Sequence, residues 1–445
     1  MSFLRGLLAA RSHLAFLLGL AAAVAVVRFT SRLGRAAATP APLAAADATA
    51  LPLRPTGPLA PRERALARAA WDYLERETDP VTGLARSVAG YPSTTLWDLG
   101  SQLMGVLAAE DLELATHAEA RRRLDRALRS LAALPLCDGR LPNKAYDTRT
   151  LAMTDYSNRS APEGIGWSAL DLGRVLVPLS LVIRRFPELT PLVERATSRW
   201  DLEALSDGAE LRGATRGADG ALRHYQEGRL GYEQYAARAL LPWGVAVAGA
   251  LEYRHHLSTA ELYGVAVPVD DRRPEDHGGT HAAVLSEPWI LTGIEQGFDA
   301  VGLALARRVL EVQARRAEAT GRLTALSEDA IDRPPGFAYS AVLNGGRAWT
   351  AFTPDGAPAP PTFSTKAALG WGVLFAGHYP DRLLDAALAL VDPARGILAG
   401  RYDEGGAPNR ARSLNTNGVV LEALAYRLHG PFSRRPARLA RQVAR

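Results

Sequence analysis

Carboxylates set among aromatic and hydrogen-bonding side chains occur at a few places in this sequence. The longest stretch runs from Pro142 to Ala161, PNKAYDTRTLAMTDYSNRSA, and continues through Pro162–Glu163–Gly164–Ile165–Gly166–Trp167. It holds Asp155, Tyr156, Asn158, Arg159, Glu163 and Trp167 within thirteen residues. A loop of that length without structure of its own is usually functional or disordered, and its tyrosines and Met153 argue for order. Aromatic faces stack on the C–H surfaces of sugars, while carboxylates and amides hold hydroxyls and move protons. The mixture therefore suits a carbohydrate.

Each residue also has a structural reading. Glu163 stands three residues after Ser160 and would complete a capping box there. A helix N-terminus favours the ionised carboxylate, so Glu163 suits a base or a sugar-holding group. Asp155 precedes that helix and either positions a sugar or water, or closes an Asx-turn. In Gly231–Tyr232–Glu233–Gln234–Tyr235, the tyrosines share a helix face and Glu233 points elsewhere, into a mouth or toward Arg238. Glu287, with Trp289 beside it, and Asp98, after Trp97, stand at two further helix starts. The expected acid/base pair is Glu163 and Glu233 with Asp155 assisting. Trp97, Asp98, Tyr156, Asn158, Arg159, Trp167, Tyr232, Glu287 and Trp289 are the expected substrate-binding residues.

These residues need elements to position them. From Arg62 onward, long apolar-periodic stretches alternate with Gly, Pro and polar segments, a helical pattern. Helices are expected at 62–76, 96–110, 116–133, 164–185, 188–204, 231–254, 258–264, 284–296, 298–318, 365–377, 380–391 and 415–429. Breaks such as Phe186–Pro187 and Tyr379–Pro380 join neighbours into antiparallel hairpins. Twelve helices in paired order predict an all-α fold, an (α/α)6 toroid of six helical hairpins with small β-hairpin insertions. The insertions are expected in Leu211–Gln226 and Leu323–Trp349, where Gly217–Ala218–Asp219–Gly220 and Asn344–Gly345–Gly346 resemble hairpin turns. A phrase of the form D-P-x-x-G-apolar occurs at Asp79–Leu84 and again at Asp392–Ile397, a modest sign of repetition. Thr95 with Asp98, Ser160 with Glu163, Ser364, and Asn415 with Thr416 are candidate N-caps. In a toroid such helix starts gather round one mouth.

Composition narrows the function. The chain has 445 residues, 47% of them hydrophobic, and a formal charge of +5. Five arginines lie in residues 1–35 and five in 434–445, with no acid in either segment, which leaves the body at −5. An acidic body is a poor phosphate-binding surface, so nucleic acid is not an expected partner. The lone Cys137 excludes a disulfide framework and a cysteine zinc site. His277 and His281, with Asp270, Asp271, Glu275 and Asp276, have only a generic metal spacing, and no metal or cofactor is expected. There is no G-x-S-x-G, Walker A, G-x-G-x-x-G after a strand, or H-E-x-x-H.

Leu14–Val27 is an unbroken apolar run with arginines on both sides. It falls short of the roughly 20 residues of a comfortable span, and reads as a signal peptide or membrane anchor within residues 1–35. Residues 36–60 are Ala/Pro-rich, a linker. The toroid domain is expected at 61–433 and a basic tail at 434–445. The body is thus expected outside the cytoplasmic membrane, in the periplasm or beyond, held to the membrane by residues 14–27 or released.

From about Leu66 to Gly430 the chain resembles the bacterial domain of unknown function 3131. The resemblance rests on Thr95–Leu96–Trp97–Asp98, Thr154–Asp155–Tyr156–Ser157–Asn158, Glu163–Gly164–Ile165–Gly166–Trp167–Ser168, Tyr232–Glu233–Gln234–Tyr235–Ala236–Ala237–Arg238, Ser364–Thr365–Lys366–Ala367–Ala368, Asn409–Arg410 and Asn415–Thr416–Asn417. More distantly it is similar to glucoamylase-like (α/α)6 proteins, β-1,2-glucanases among them. That implies a toroid and, with an intact site, an inverting glycosidase. The expected function is an envelope glycoside hydrolase or transglycosylase acting on a glucan or exopolysaccharide. The alternatives are a non-catalytic polysaccharide-binding or secretion-accessory protein, and a lyase using Tyr156 or Tyr232 with His224 or His281.

Overall fold

The computed structural model describes residues 51–436 other than Gly278. The apolar run at 14–27 lies outside them, and among the described residues no helix is long and apolar enough to cross a membrane. Residues 51–60, the end of the expected linker, run along the domain: the Arg54 amide donates to the Leu374 carbonyl at 2.8 Å and Gly57 to Arg427 at 3.0 Å.

The described residues form eleven α-helices: α1 Pro61–Glu77, α2 Leu96–Asp111, α3 His117–Ala133, α4 Ala169–Arg185, α5 Thr190–Thr197, α6 Tyr232–Leu240, α7 Glu287–Leu291, α8 Ala300–Thr320, α9 Thr365–Leu374, α10 His378–Leu388 and α11 Leu414–His429. Two kinds of sequence build them. In α2, LWDLGSQLMGVLAAED, all but Trp97 are buried, and α9 is buried throughout. Helices apolar all round belong in a centre. By contrast α3, HAEARRRLDRALRSLAA, buries one stripe and turns its arginines to water. The packing follows this division. Helices α2, α4, α6, α7, α9 and α11 touch one another in that order, and α11 returns to α2. Helices α1, α3, α5, α8 and α10 pack outside them.

Small residues let the inner helices approach. A Cβ on Gly173 of α4 would lie 2.8 Å from the Ala236 Cβ and 2.9 Å from its Cα on α6, and one on Gly418 of α11 would lie 2.8 Å from the Ser101 carbonyl oxygen on α2. Neither neighbour is a flexible side-chain end. Gly173→Ala is therefore expected to cost about 1–3 kcal/mol by overpacking, measurable as a lowered urea midpoint with an unchanged slope.

The expected helix at 258–264 is instead a strand. Leu257–Leu262 pairs antiparallel with Val265–Asp270 through a turn at Tyr263–Gly264, both with positive φ. The helix expected over 231–254 stops at Leu240, where Pro242 and the left-handed Gly244 follow. This hairpin packs on α8.

Short strands connect the helices, among them β1 Ser93–Thr95, β2 Ala145–Asp147, β3 Met153–Thr154, β4 Gly166–Trp167, β5 Arg212–Arg216, β6 Leu222–Gln226, β7 Leu257–Leu262, β8 Val265–Asp270, β9 Glu328–Ala330, β10 Phe337–Asn344 and β11 Arg347–Phe352. The two expected hairpins are β5–β6 and β10–β11. Strand β4 adds to the first and β9 to the second, giving two three-stranded sheets. The long polar loop at 142–161 is partly ordered as β2 and β3, which pair with β1 in a third.

Candidate active site

The first turns of the inner helices meet at one end of the bundle, and four of them, α2, α4, α9 and α11, are capped by a short polar side chain. Thr95 accepts from the Asp98 amide at 3.1 Å and donates its hydroxyl to the Asp98 carboxylate at 2.7 Å. Ser168 caps α4 by accepting from the Asp171 amide at 3.0 Å. Ser364 caps α9 and Ser413 caps α11. These caps turn Trp97, Asp98, Asp171, Lys366 and Asn415 into the mouth, and α7 and α6 bring Glu287 and Tyr232.

Glu287 is the hub of one wall. It is buried, with Oε1 accepting from Trp97 Nε1 at 3.3 Å and Asn415 Nδ2 at 2.8 Å, while Oε2 accepts from Lys366 Nζ and Ser327 Oγ. Three inner helices thus converge on the first residue of a fourth. Lys366 also lies 4.0 Å from Asp329 Oδ1. Burial alone would discharge Lys366, but Glu287, Asp329 and Glu328 overcome it and hold the ammonium above its usual range. One ammonium cannot offset all these acids. Burial pushes Asp329 up to about 8, against the pull of Lys366, and burial likewise raises Glu328.

The second wall comes from α4 and the segment after β6. Asp171 is half-buried, and burial, then the charge of Glu227, pushes its carboxyl up to about 7. Burial raises Glu227 too, opposed first by Lys144. The Glu227 carboxylate accepts from the Ala169 amide, and Lys144 Nζ donates to Thr215 Oγ1 at 2.8 Å and Tyr225 Oη at 3.1 Å.

Tyr339 joins the walls. Its β-sheet register sets it directly opposite Glu328, so the two share a face. Its hydroxyl is held above the usual range by burial and then by Glu328, Asp171, Glu227 and Glu287. Tyr156 is largely exposed (63%) yet lies within electrostatic reach of Asp171, Tyr339 and Glu227, reaching over the mouth from outside. Tyr232 packs edge-on to Trp97 at 5.5 Å, and its buried hydroxyl has no partner. The cavity of about 280 Å³ between α1, α2 and α3, floored by Trp71 and Val106, lies away from these carboxylates.

The residues expected from sequence divide accordingly. Trp97, Asp98, Tyr156, Tyr232 and Glu287 stand at the mouth. Glu163 and Glu233 share no environment. The Glu163 side chain is 77% exposed beside Arg216, 3.9 Å away. Glu233 is buried in an ion pair with Arg272 at 2.5 Å and also accepts from the Leu211 amide and Gln226. The two carboxylates expected to act as acid and base thus do not face one site. Asp155 closes an Asx-turn, accepting from the Ser157 and Arg159 amides at 2.9 and 2.8 Å and pairing with exposed Arg159. Asn158 has a left-handed backbone and donates to Asp147 at 3.1 Å. Trp167 and Trp289 are core residues, packed against His224 and Tyr253 respectively. Asp171, Glu227, Glu328, Asp329, Tyr339, Lys366 and Asn415 were not among the expected site residues. The signal for Asp171 was the phrase Ser168–Ala169–Leu170–Asp171, the same S/T-x-x-D spacing that marks Thr95–Asp98.

The fold is shared with solved structures of carbohydrate-active proteins. An endo-β-1,2-glucanase from Chitinophaga pinensis, solved with sophorotriose and glucose, superposes with a TM-score of 0.59 at 11% identity, covering 84% of this chain and 93% of that one. A candidate glucoamylase from Bacteroides fragilis gives 0.58 at 14% identity, covering 88% and 95%. A variant endo-β-1,2-glucanase from Talaromyces funiculosus, in complex with β-1,2-glucan, gives 0.53 at 10% identity, covering 83% and 84%. No curated protein matches the sequence. The chain belongs to the family described as protein of unknown function (DUF3131), whose sequence model matches residues 65–430.

Proposed function

We propose that this protein is a glycoside hydrolase acting on a glucan-type polysaccharide, with Asp171 as general base and Glu328 as general acid. The observation that carries the reading is the pair of carboxyl groups, both raised above their usual range, that act on Tyr339 from two walls of an aromatic-lined mouth. The likeness of fold to two endo-β-1,2-glucanases supports a glucan as substrate. The cyclic order of the six inner helices supports an (α/α)6 toroid in which β7–β8 stands in the place of one outer helix. The apolar run at 14–27 supports action outside the cytoplasmic membrane.

Glu328, whose carboxyl burial raises toward the protonated form, gives its proton to the glycosidic oxygen as the bond to the anomeric carbon breaks. Asp171, half-buried and so within reach of water, takes a proton from the water that attacks the opposite face. The anomeric centre inverts, which requires the two carboxyl groups to stand roughly 6.5–9.5 Å apart in the working complex. Glu287, held by Lys366, Trp97 and Asn415, keeps the first turns of four helices in register.

The test is incubation with linear β-1,2-, β-1,3-, β-1,4- and α-1,4-glucans and acidic exopolysaccharides, reading reducing ends and, by NMR, the anomer first released. New ends of inverted configuration are expected on one polymer, with at least a hundredfold loss in Glu328→Gln. Retention of a polymer without cleavage by the wild type would move the protein to a binding role.

A further inference from the structure

Phe337 is 37% exposed on a strand whose next same-face residue is Tyr339 at the mouth. Their ring centroids are 5.3 Å apart at an interplanar angle of 83°. Tyr339 is backed on one face by Phe352, stacked at 5.3 Å and 18°, which packs in turn on Leu285 and Ala341. The rings of Tyr339 and Phe337, nearly perpendicular, thus meet in a corner. Across the sheet the corner is framed unequally. Glu328 stands opposite Tyr339, and the small Ala330 stands opposite Phe337. Single exposed apolar residues are ordinary, but an exposed aromatic continuous with a carboxylate-lined mouth marks a binding surface.

Resting on the carbohydrate reading above, we propose that Phe337 and Tyr339 grip a pyranose unit one step along the chain from the bond cut at Glu328, selecting extended polysaccharide over short oligosaccharides. A sugar ring fits such a corner because its C–H faces are apolar while its hydroxyls point outward to water. The rigid sheet fixes the angle between the rings, so little freedom is lost on binding.

The experiment compares the full chain with Phe337→Ala and Phe337→Trp on the polymer that the wild type cleaves and on the trisaccharide of the same linkage. Phe337→Ala is expected to lower kcat/KM about tenfold on the polymer and less than twofold on the trisaccharide, with an unchanged pH profile, and Phe337→Trp to restore it. Equal losses on both substrates, or no loss on the polymer, would overturn the proposal. Affinity electrophoresis through gels of the same polymers separates this from catalysis. If the wild type cleaves nothing but is retarded by a gel and Phe337→Ala is not, the corner stands and the hydrolase reading falls. Equal retardation of both proteins, or retardation of neither, removes the corner.

Discussion

Asp171→Asn is expected to lower kcat by about two to four orders of magnitude and to remove the acid limb of the pH profile from the residual activity. The sign follows from the role. A base must be ionised, and burial and Glu227 push the Asp171 carboxyl up to about 7, so wild-type activity falls as pH drops through that value. Had Asp171 been the acid, activity would fall as pH rises through 7, and the variant would lose the alkaline limb. Steady-state rates between pH 5 and 9 separate the two roles, and an unchanged profile would exclude Asp171 from proton transfer.

The same substitution carries a stability signature of opposite sign. The folded-state pKa of Asp171 lies above its unfolded value of about 3.9, so ionising it costs the folded state. Its contribution to stability is present below about pH 4 and is lost as pH rises through 7. Asn at this position cannot ionise, so the variant should melt above wild type at pH 8 and level with it at pH 4. A carboxyl carried from about 3.9 to about 7 would give about 4 kcal/mol if wholly shielded from water, and partial exposure reduces that to about 2 kcal/mol. A loss of activity coupled to a gain in stability is what a strained functional group predicts, and a residue that merely held the fold would lose both.

Much of the fold was legible because burial and capping write themselves into local sequence. The boundaries of α2, α3 and α11 fall within one residue of those expected from apolar period and punctuation. The failures have local causes. Ser160 and Glu163 imitate a capping box, but Gly164 and Gly166 have φ of +76° and +119°, and a Cβ at Gly166 would meet the Ala214 carbonyl oxygen. The chain there pairs with β5, and α4 starts at Ala169. That displacement took Glu163 out to solvent and hid Asp171 inside an expected helix. Leu257–Leu262 carries apolar residues at a spacing a helix could use, but its pairing is decided by the Tyr263–Gly264 turn and by packing on α8, which no local pattern contains.

The site was half legible for a related reason. Trp97, Asp98, Tyr232 and Glu287 sit on helix starts, where position along the chain predicts position in space. Glu227, Glu328 and Asp329 sit on hairpin strands or beside them, and their place at the mouth depends on how two separate sheets lean over it. Their raised pKa values come from burial, a tertiary property. Glu233 shows the converse: its helix start allowed a place in the mouth or an ion pair with nearby Arg238, but its partner is Arg272, brought from 39 residues away.

Below the mouth, the bundle centre is held by Arg174, and Arg174→Met should be strongly destabilising. Arg174 is wholly buried and pairs with Glu295 and with Glu422 at 2.6 Å, with Ser101 Oγ and Tyr235 Oη nearby at 3.3 Å. These partners come from α2, α6, α11 and the turn after α7, one layer below Trp97, whose ring lies 5.8 Å from the guanidinium. Removing one partner from a buried ion cluster leaves uncompensated charge and costs about 3–5 kcal/mol. The loss should also depend on pH. Burial raises the Glu422 carboxyl well above its ordinary range, Glu295 adds to this, and Arg174 is the group that opposes it. Without Arg174 that pKa climbs further, so folding takes up a proton that the unfolded chain releases above about pH 4.3. The deficit against wild type therefore stays level while Glu422 is protonated in both folded proteins, and widens once pH rises above the point at which it ionises in the folded wild type. Urea unfolding in steps from pH 5 to pH 9 should show a fall in midpoint that grows toward the alkaline end, and adding Glu295→Gln and Glu422→Gln should flatten that growth. If the triple variant keeps the full pH dependence of the single one, the cost arises from lost packing around the guanidinium and not from its charge.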